Sequence, residues 1–252
     1  MALENETDGP GRADSPDAPE AATSISAKAR TVPGSMKEQR YRALLLDFGG
    51  VILKSFFETR QALEALLKLP AGTLVWAGPF APASDPLWRQ MLDDGISERD
   101  YWNQRAGEVG RLVGEDWTIQ DFCTKHNELP LTVSLRPEML QLMRDAKRAG
   151  LKIGILTNEL ELFHGKNWPA RMPFADDLDA VVDATHTKIL KPDPRAYEIA
   201  LRSLDLAADE VLFIDDQPRN VAGGTAAGIR SIHFDITDYH SSIDKARGLL
   251  RL

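Results

Sequence analysis

The chain has 252 residues, with 43% hydrophobic side chains and a formal net charge of −8. That length suits one α/β domain with an insertion, or two small domains, and the apolar content can build a real core. The acidic balance argues against nucleic acid, whose backbone demands basic patches, and against docking on an anionic membrane surface. No stretch reaches the roughly eighteen apolar residues of a membrane span, and Cys123 is the only cysteine, so no internal disulfide can form. A reducing cytoplasm fits best, and Cys123 itself reads as a small buried hydrophobe.

Residues 1–38 are rich in Ala, Ser, Pro, Gly and acids and lack an aliphatic pattern. They read as a disordered tail without the apolar run of a signal peptide. Met36 just before the first strand leaves open an upstream start. Residues 42–47 form the first strand, an apolar run closed by Asp47. A largely helical stretch follows from about Phe56 to Ser134, interrupted by a Gly/Pro/Ala loop around 77–86 and by a helix start at Ser97 with acids in its first turn. Trp88, Tyr101, Trp102 and Trp117 are expected to pack this unit together.

From Arg136 onward helices and strands alternate. A helix from Pro137 to Ala149 stops at Gly150 and strand 151–156 follows, then a helix near 159–165, an irregular segment 166–174 and a short strand at 180–183. A helix near 194–204, strand 211–215, a helix near 218–226, strand 229–234 and a helix near 241–250 complete the chain. Alternating βα units imply a parallel sheet with helices on both faces. The expected fold class is therefore α/β: a doubly wound, Rossmann-like parallel sheet core over 39–55 and 135–252, with a helical cap inserted over 56–134.

Polar residues follow the buried strands at their carboxyl ends, where side chains from distant parts of such a chain converge. Asp47-Phe48-Gly49-Gly50-Val51 follows the first strand, Thr157-Asn158 the second, and Asp215-Asp216 the fourth; Lys191-Pro192-Asp193-Pro194 precedes a helix. Two sets of carboxylates, a hydroxyl and an ammonium at one crevice suit Mg²⁺ binding and phosphoryl transfer. Adjacent acids after a buried strand are costly to crowd unless a cation is present. Any one of these motifs alone reads as a strand-end turn or a solvated loop.

In this order the four motifs resemble the haloacid dehalogenase-like hydrolase superfamily, in the branch with a helical cap after the first strand. The resemblance covers residues 41–252. It implies Asp47 as the nucleophile, Thr157 as a hydroxyl binding a phosphoryl oxygen with Asn158 shaping the same loop, and Lys191 as the charge-neutralising ammonium. It implies a Mg²⁺ held by Asp47, the backbone carbonyl of Gly49 and Asp216, with Asp215 acting through water or Lys191. Asn220 matches a residue that braces the last loop. Lys188, three residues before Lys191, is a competing assignment that the Lys-Pro pattern disfavours.

Gly49 departs from the family pattern, since most phosphatases of the family carry there an Asp that serves as general acid and base. Such help is typically worth ~10²–10⁴-fold. Its loss points to a good leaving group, a substitute acid, or slow turnover. None of His126, His164, His186, His233 and His240 shows metal-ligand spacing. His164 and Glu159 are the candidate substitutes for the missing acid/base. The expected activity is a Mg²⁺-dependent phosphatase acting on a small phosphorylated metabolite, as a monomer or homodimer, with no nucleic-acid or membrane partner. Two alternatives stand beside it: a 2-haloacid dehalogenase-type hydrolase using the same Asp47, and a non-catalytic binding or regulatory protein on the same scaffold.

Overall fold

The computed structural model describes residues 41–93 and 95–252; the tail expected over 1–38 lies outside them. Five short strands form one parallel sheet: β1 (Ala43–Leu46), β2 (Lys152–Thr157), β3 (Ala180–Asp183), β4 (Val211–Asp215) and β5 (Arg230–His233), in the order β3-β2-β1-β4-β5. β1 is central. The chain winds outward from it through β2 to β3, then crosses back to β4 on the other side, which makes the β1/β4 junction the point where strand order reverses.

The helices between β1 and β2 are α1 (Phe56–Leu66), α2 (Pro86–Leu92), α3 (Glu98–Val113), α4 (Ile119–His126), α5 (Leu131–Ser134) and α6 (Pro137–Arg148). After β2 come α7 (Leu160–His164) and α8 (Trp168–Arg171); after β3 come α9 (Ala184–Thr187) and α10 (Pro194–Leu204). α11 (Pro218–Ala226) joins β4 to β5, and α12 (Tyr239–Leu250) follows β5. The segment read as irregular thus contains the short α8, and α9 is a single turn too brief to leave a periodic signature. None of these helices is long and apolar enough to cross a membrane.

Period-two alternation in the strands divides the core into two layers. Leu44, Leu46, Ile153, Ile155, Leu212 and Ile214 point to the face covered by α6 and α12. Ala43, Leu45, Leu156, Val211 and Phe213 point to the opposite face, where α10 packs through Ala196, Tyr197, Ala200 and Leu204. A sheet buried on both faces explains why the strands read as continuous apolar runs. The aromatic residues between α1 and α4 pack around Phe57, with Trp76 at 5.8 Å and Trp88 at 5.1 Å edge-on and Trp102 tilted at 5.1 Å between ring centroids. Cys123 is buried, and burial pushes its thiol up to about 12.

The helix signals act where the sequence placed them. Ser97 Oγ accepts from the Asp100 N–H at 3.1 Å, and the Asp100 carboxylate accepts from the Ser97 N–H, which starts α3. Gly150 takes φ +82° to release the chain from α6 into β2. The two connections at residues 50–54 and 134–136 run antiparallel: Leu53 bridges Leu135, Lys54 N donates to Ser134 O at 2.8 Å, and Arg136 N donates to Ile52 O at 3.0 Å.

Candidate active site

β1 and β4 deliver the acids. Asp47 continues the β1 ladder by one bond, its N–H reaching Ile214 O at 2.9 Å. The chain then winds into a tight turn at Phe48–Ile52 in which Gly50 takes φ +76°. β4 ends at Asp215, and Asp216 follows at the same edge. One carboxylate oxygen from each of Asp47, Asp215 and Asp216 lies within 4.8 Å of the others. Thr157 is buried at the end of β2; the register Leu46↔Ile155 sets it one step further along the sheet than Asp47.

Lys191 completes the group. Its ammonium is buried and donates to Asp215 Oδ2 at 2.7 Å and to Asp47 Oδ1 at 2.8 Å. Burial works against this charge, but Asp215 and Asp47 overcome it and hold the ammonium above its ordinary range. Asn158 fixes the lysine from behind: its Oδ1 accepts from Lys191 N at 2.8 Å and its Nδ2 donates to Lys191 O at 3.3 Å. Lys188 takes no part; it is exposed and donates to Thr185 O at 2.5 Å.

The three acids differ in their surroundings. Asp215 is fully buried and saturated, accepting from Lys191, from Gln217 N at 2.8 Å and from Asn220 Nδ2 at 3.0 Å. Tyr197 Oη donates to Asn220 O at 2.7 Å and so braces that asparagine in turn. Burial raises the Asp47 carboxyl, Lys191 pulls it down and Asp215 pushes it back up, leaving it at about 7. Asp216 is also raised, by burial and by the crowding of Asp215, Asp47 and Glu98. Its backbone oxygen takes a bond from His233 Nε2 at 3.0 Å, and its carboxylate sits against the Gly50 backbone. Oxygen donors at this spacing, raised by mutual repulsion, fit a hard divalent cation that accepts carboxylate and carbonyl ligands and retains waters.

The two candidate substitutes for the missing acid have polar partners elsewhere. His164 Nδ1 pairs with Asn127 Oδ1 at 2.8 Å, and burial together with Arg171 pushes the ring down to about 4. Toward the site it makes an edge-on ring contact with Phe48 at 5.2 Å. Glu159 is ion-paired with Arg99 of α3. A position opposite Gly49 is open: a Cβ there would meet nothing within 4 Å.

Glu98 was missed by the sequence reading. It lies in the first turn of α3, 2.8 Å from Arg219 of α11. Burial raises its carboxyl, Arg219 lowers it, and the nearby Asp215 raises it again. In the sequence it is indistinguishable from the helix-capping acids around Ser97, because its relation to Asp215 and Arg219 spans over a hundred residues. Glu98 to Arg219 and Arg99 to Glu159 together tie the start of α3 to the first turn of α11 and to the loop after β2.

A model of the haloacid dehalogenase-like hydrolase family matches residues 41–228. The chain belongs to that family. It is 26% identical over 216 residues to sesquiterpene phosphatase astK of Aspergillus oryzae, covering 83% of this chain and 97% of that one. It is 27% identical to the phosphoserine phosphatase of Thermus thermophilus, covering 77% and 88%. Acyl-CoA dehydrogenase family member 10 of Mus musculus is 28% identical over 200 residues, which are 77% of this chain; the match spans only 18% of that protein's length. Among solved structures, the HAD-hydrolase YfnB of Bacillus subtilis bound to magnesium superimposes with a TM-score of 0.58 at 18% identity, covering 78% of this chain and 87% of that one. A dehalogenase does so with a TM-score of 0.52 at 17% identity, covering 83% and 96%. These likenesses extend the shared α/β fold across the sheet and its helices. The protein is a haloacid dehalogenase-like hydrolase.

Proposed function

We propose that this hydrolase is a Mg²⁺-dependent phosphatase of a small phosphorylated metabolite. The observation that carries the reading is the buried Lys191 ammonium held between Asp47 and Asp215, with a carboxylate oxygen of Asp216 within 4.8 Å of theirs on the same edge. Asp47, Asp216 and the Gly49 carbonyl would hold Mg²⁺, with Asp215 engaged by Lys191. When bound, the cation supplies charge neutralisation for phosphoryl oxygens.

Asp47 attacks phosphorus and the bond from phosphorus to the leaving oxygen breaks, giving an aspartyl-phosphate. Lys191 offsets the negative charge shared by Asp47 and the phosphoryl group, and the Thr157 hydroxyl binds a phosphoryl oxygen. Asn158 acts by fixing the Lys191 backbone. Gly49 offers no proton, so the departing oxygen takes one from solvent, and a good leaving group is favoured. Water then cleaves the acyl phosphate, releasing inorganic phosphate and restoring Asp47.

Residues 56–134 serve as a cap over the core of 39–55 and 135–252. The ion pairs of Glu98 with the first turn of α11 and of Arg99 with the loop after β2 support this division. A cap closed over the site excludes bulk water and holds the non-phosphate part of the substrate. The absence of a basic surface balance supports a small-molecule partner, and the single buried cysteine supports a cytoplasmic setting, as a monomer or homodimer.

The test is phosphate release from p-nitrophenyl phosphate in Mg²⁺, abolished by EDTA. Metal-independent halide release from 2-haloacids would replace this reading with the dehalogenase. Neither activity across a broad panel would leave a binding protein.

A further inference from the structure

Arg136 is the largest fully buried side chain of the protein's described residues, and it is a cation. It stands at the junction where the chain returns from α5 into α6. Its guanidinium is occupied almost completely. Nη1 and Nη2 form a two-pronged pair with the Glu58 carboxylate at 2.9 and 2.8 Å; Nη2 also donates to Gly50 O at 3.0 Å, and Nε to Val51 O at 3.3 Å. The rings of Phe234 and Tyr239 lie over it at 5.1 and 4.5 Å. Glu58 belongs to the first turn of α1, and it also accepts from Ser55 N at 2.8 Å and Ser55 Oγ at 2.9 Å.

Such a pair is a poor device for stability alone. Taking both charges out of water costs about as much as their attraction returns, and well-packed apolar residues often do as well. What the pair does here is specific. Gly50 and Val51 belong to the turn that starts at Asp47, and the other side of Gly50 is pressed against the Asp216 carboxylate. The turn is therefore held between Arg136 and Asp216, and Arg136 is held in turn by the first helix of the inserted segment.

We propose that Arg136, oriented by Glu58, is a positioning residue that sets the Gly49–Val51 backbone against Asp216 and so fixes the cation site. The inference rests on the function proposed above, because the geometry it controls is the one assigned there to Mg²⁺. Outer partners that orient metal ligands typically change affinity or activity ~10–100-fold when altered. Lysine at position 136 cannot span two carbonyls and a carboxylate at once.

Three purified variants decide it: Arg136→Lys, Glu58→Gln, and Arg105→Lys as a comparison that loosens the part-buried Arg105 pair with Asp85 between α3 and the start of α2. Each is measured for Mg²⁺ affinity by calorimetry, for kcat and KM on p-nitrophenyl phosphate, and for urea stability. Arg136→Lys should weaken Mg²⁺ binding about tenfold and lower kcat by a similar factor, with KM moved less than twofold. Glu58→Gln should shift the same quantities in the same direction by less, and it decides the matter if Arg136→Lys does not fold. Arg105→Lys should lose stability alone. If Arg136→Lys and Glu58→Gln behave like Arg105→Lys, losing stability with Mg²⁺ affinity and kcat intact, the inference is overturned while the proposed function survives. A wild-type protein that takes up no Mg²⁺ overturns both.

Discussion

The backbone of Gly50 lies flush against the Asp216 carboxylate, so that a methyl group at position 50 would collide with Asp216 Oδ2. Gly50 is also at φ +76°, where any residue with a Cβ costs roughly 1–2 kcal/mol. Gly50→Ala should therefore do more than strain a turn. It should move the Asp216 oxygen out of the acid cluster, destabilise the protein by about 1–3 kcal/mol, and abolish Mg²⁺ uptake measured by calorimetry. Normal Mg²⁺ binding in that variant would show that Asp216 is not a ligand.

Lys191 is a cation that the two buried acids Asp47 and Asp215 share. Removing one partner of a buried ion pair leaves charge uncompensated and typically costs about 3–5 kcal/mol. Lys191→Met should lose stability of that order by urea unfolding in EDTA. Saturating Mg²⁺ should recover part of it, because a second positive charge enters the same cluster. A variant as stable as wild type without metal would mean that the acids are held in their neutral forms rather than by the lysine.

Much of this arrangement was legible before the structure. Asp47, Thr157 and Asp215 end strands that the apolar runs marked out, and a parallel sheet brings such ends together whatever lies between them. The local signals at Ser97 and Gly150 were equally direct, because capping and helix exit depend on a few adjacent residues. The role of Asn158 was only half visible: it does shape the loop, but by gripping the backbone of Lys191, 33 residues away in the chain. Arg136, Glu58 and Glu98 were not visible at all. Each sits in the first turn of a helix or just before one, where charged residues are ordinary, and each gains its meaning from a partner 78 to 121 residues distant. His164 and Glu159 were sensible candidates by position, yet their polar partners Asn127 and Arg99 come from the helical segment, whose packing carries no periodic code for such pairs.

The raised acids pull stability down as pH rises in the metal-free protein. Folded Asp47 titrates at about 7 against an ordinary 3.8, and Asp216 is also raised, so the folded state holds protons that the unfolded chain has already released. Each such proton contributes a negative slope of unfolding free energy between about pH 4 and 7, by up to ~1.4 kcal/mol per pH unit, while the buried His126 and His164, both pushed down to about 4, contribute the opposite slope between about pH 4 and 6.5. The acids lowered by surface partners, such as Asp193 at about 2, act below this window, and the raised Lys191 acts above it. The share of the acids is therefore read as the difference between wild type and Asp47→Asn in urea midpoints measured in EDTA at pH 5, 6 and 7, with wild type losing more stability as pH rises. Mg²⁺ should remove the contribution of the acids, since it displaces the same protons, and Asp47→Asn should shift the profile in the same direction while eliminating turnover. An identical pH profile in wild type and Asp47→Asn, or wild-type turnover in that variant, would contradict the assignment of Asp47.

The open space at Gly49 supplies the most direct test of the chemistry. Gly49 has φ −73°, which any residue adopts, and a Cβ there meets nothing within 4 Å. Gly49→Asp should fold with a change in stability within about 0.5 kcal/mol. Without an acid/base at this position, wild-type protein should form the aspartyl-phosphate quickly from an activated aryl phosphate and hydrolyse it slowly. Rapid mixing should then show a burst of aryl alcohol approaching one per active site. A carboxyl at position 49 can protonate a poor leaving group and later deprotonate the attacking water, a contribution of ~10²–10⁴-fold where it is needed. Gly49→Asp should therefore suppress the burst and raise kcat on an alkyl phosphate far more than on the aryl one. Strictly linear product formation in wild type, together with an unchanged alkyl-to-aryl ratio in the variant, would show that another group already performs the proton transfers.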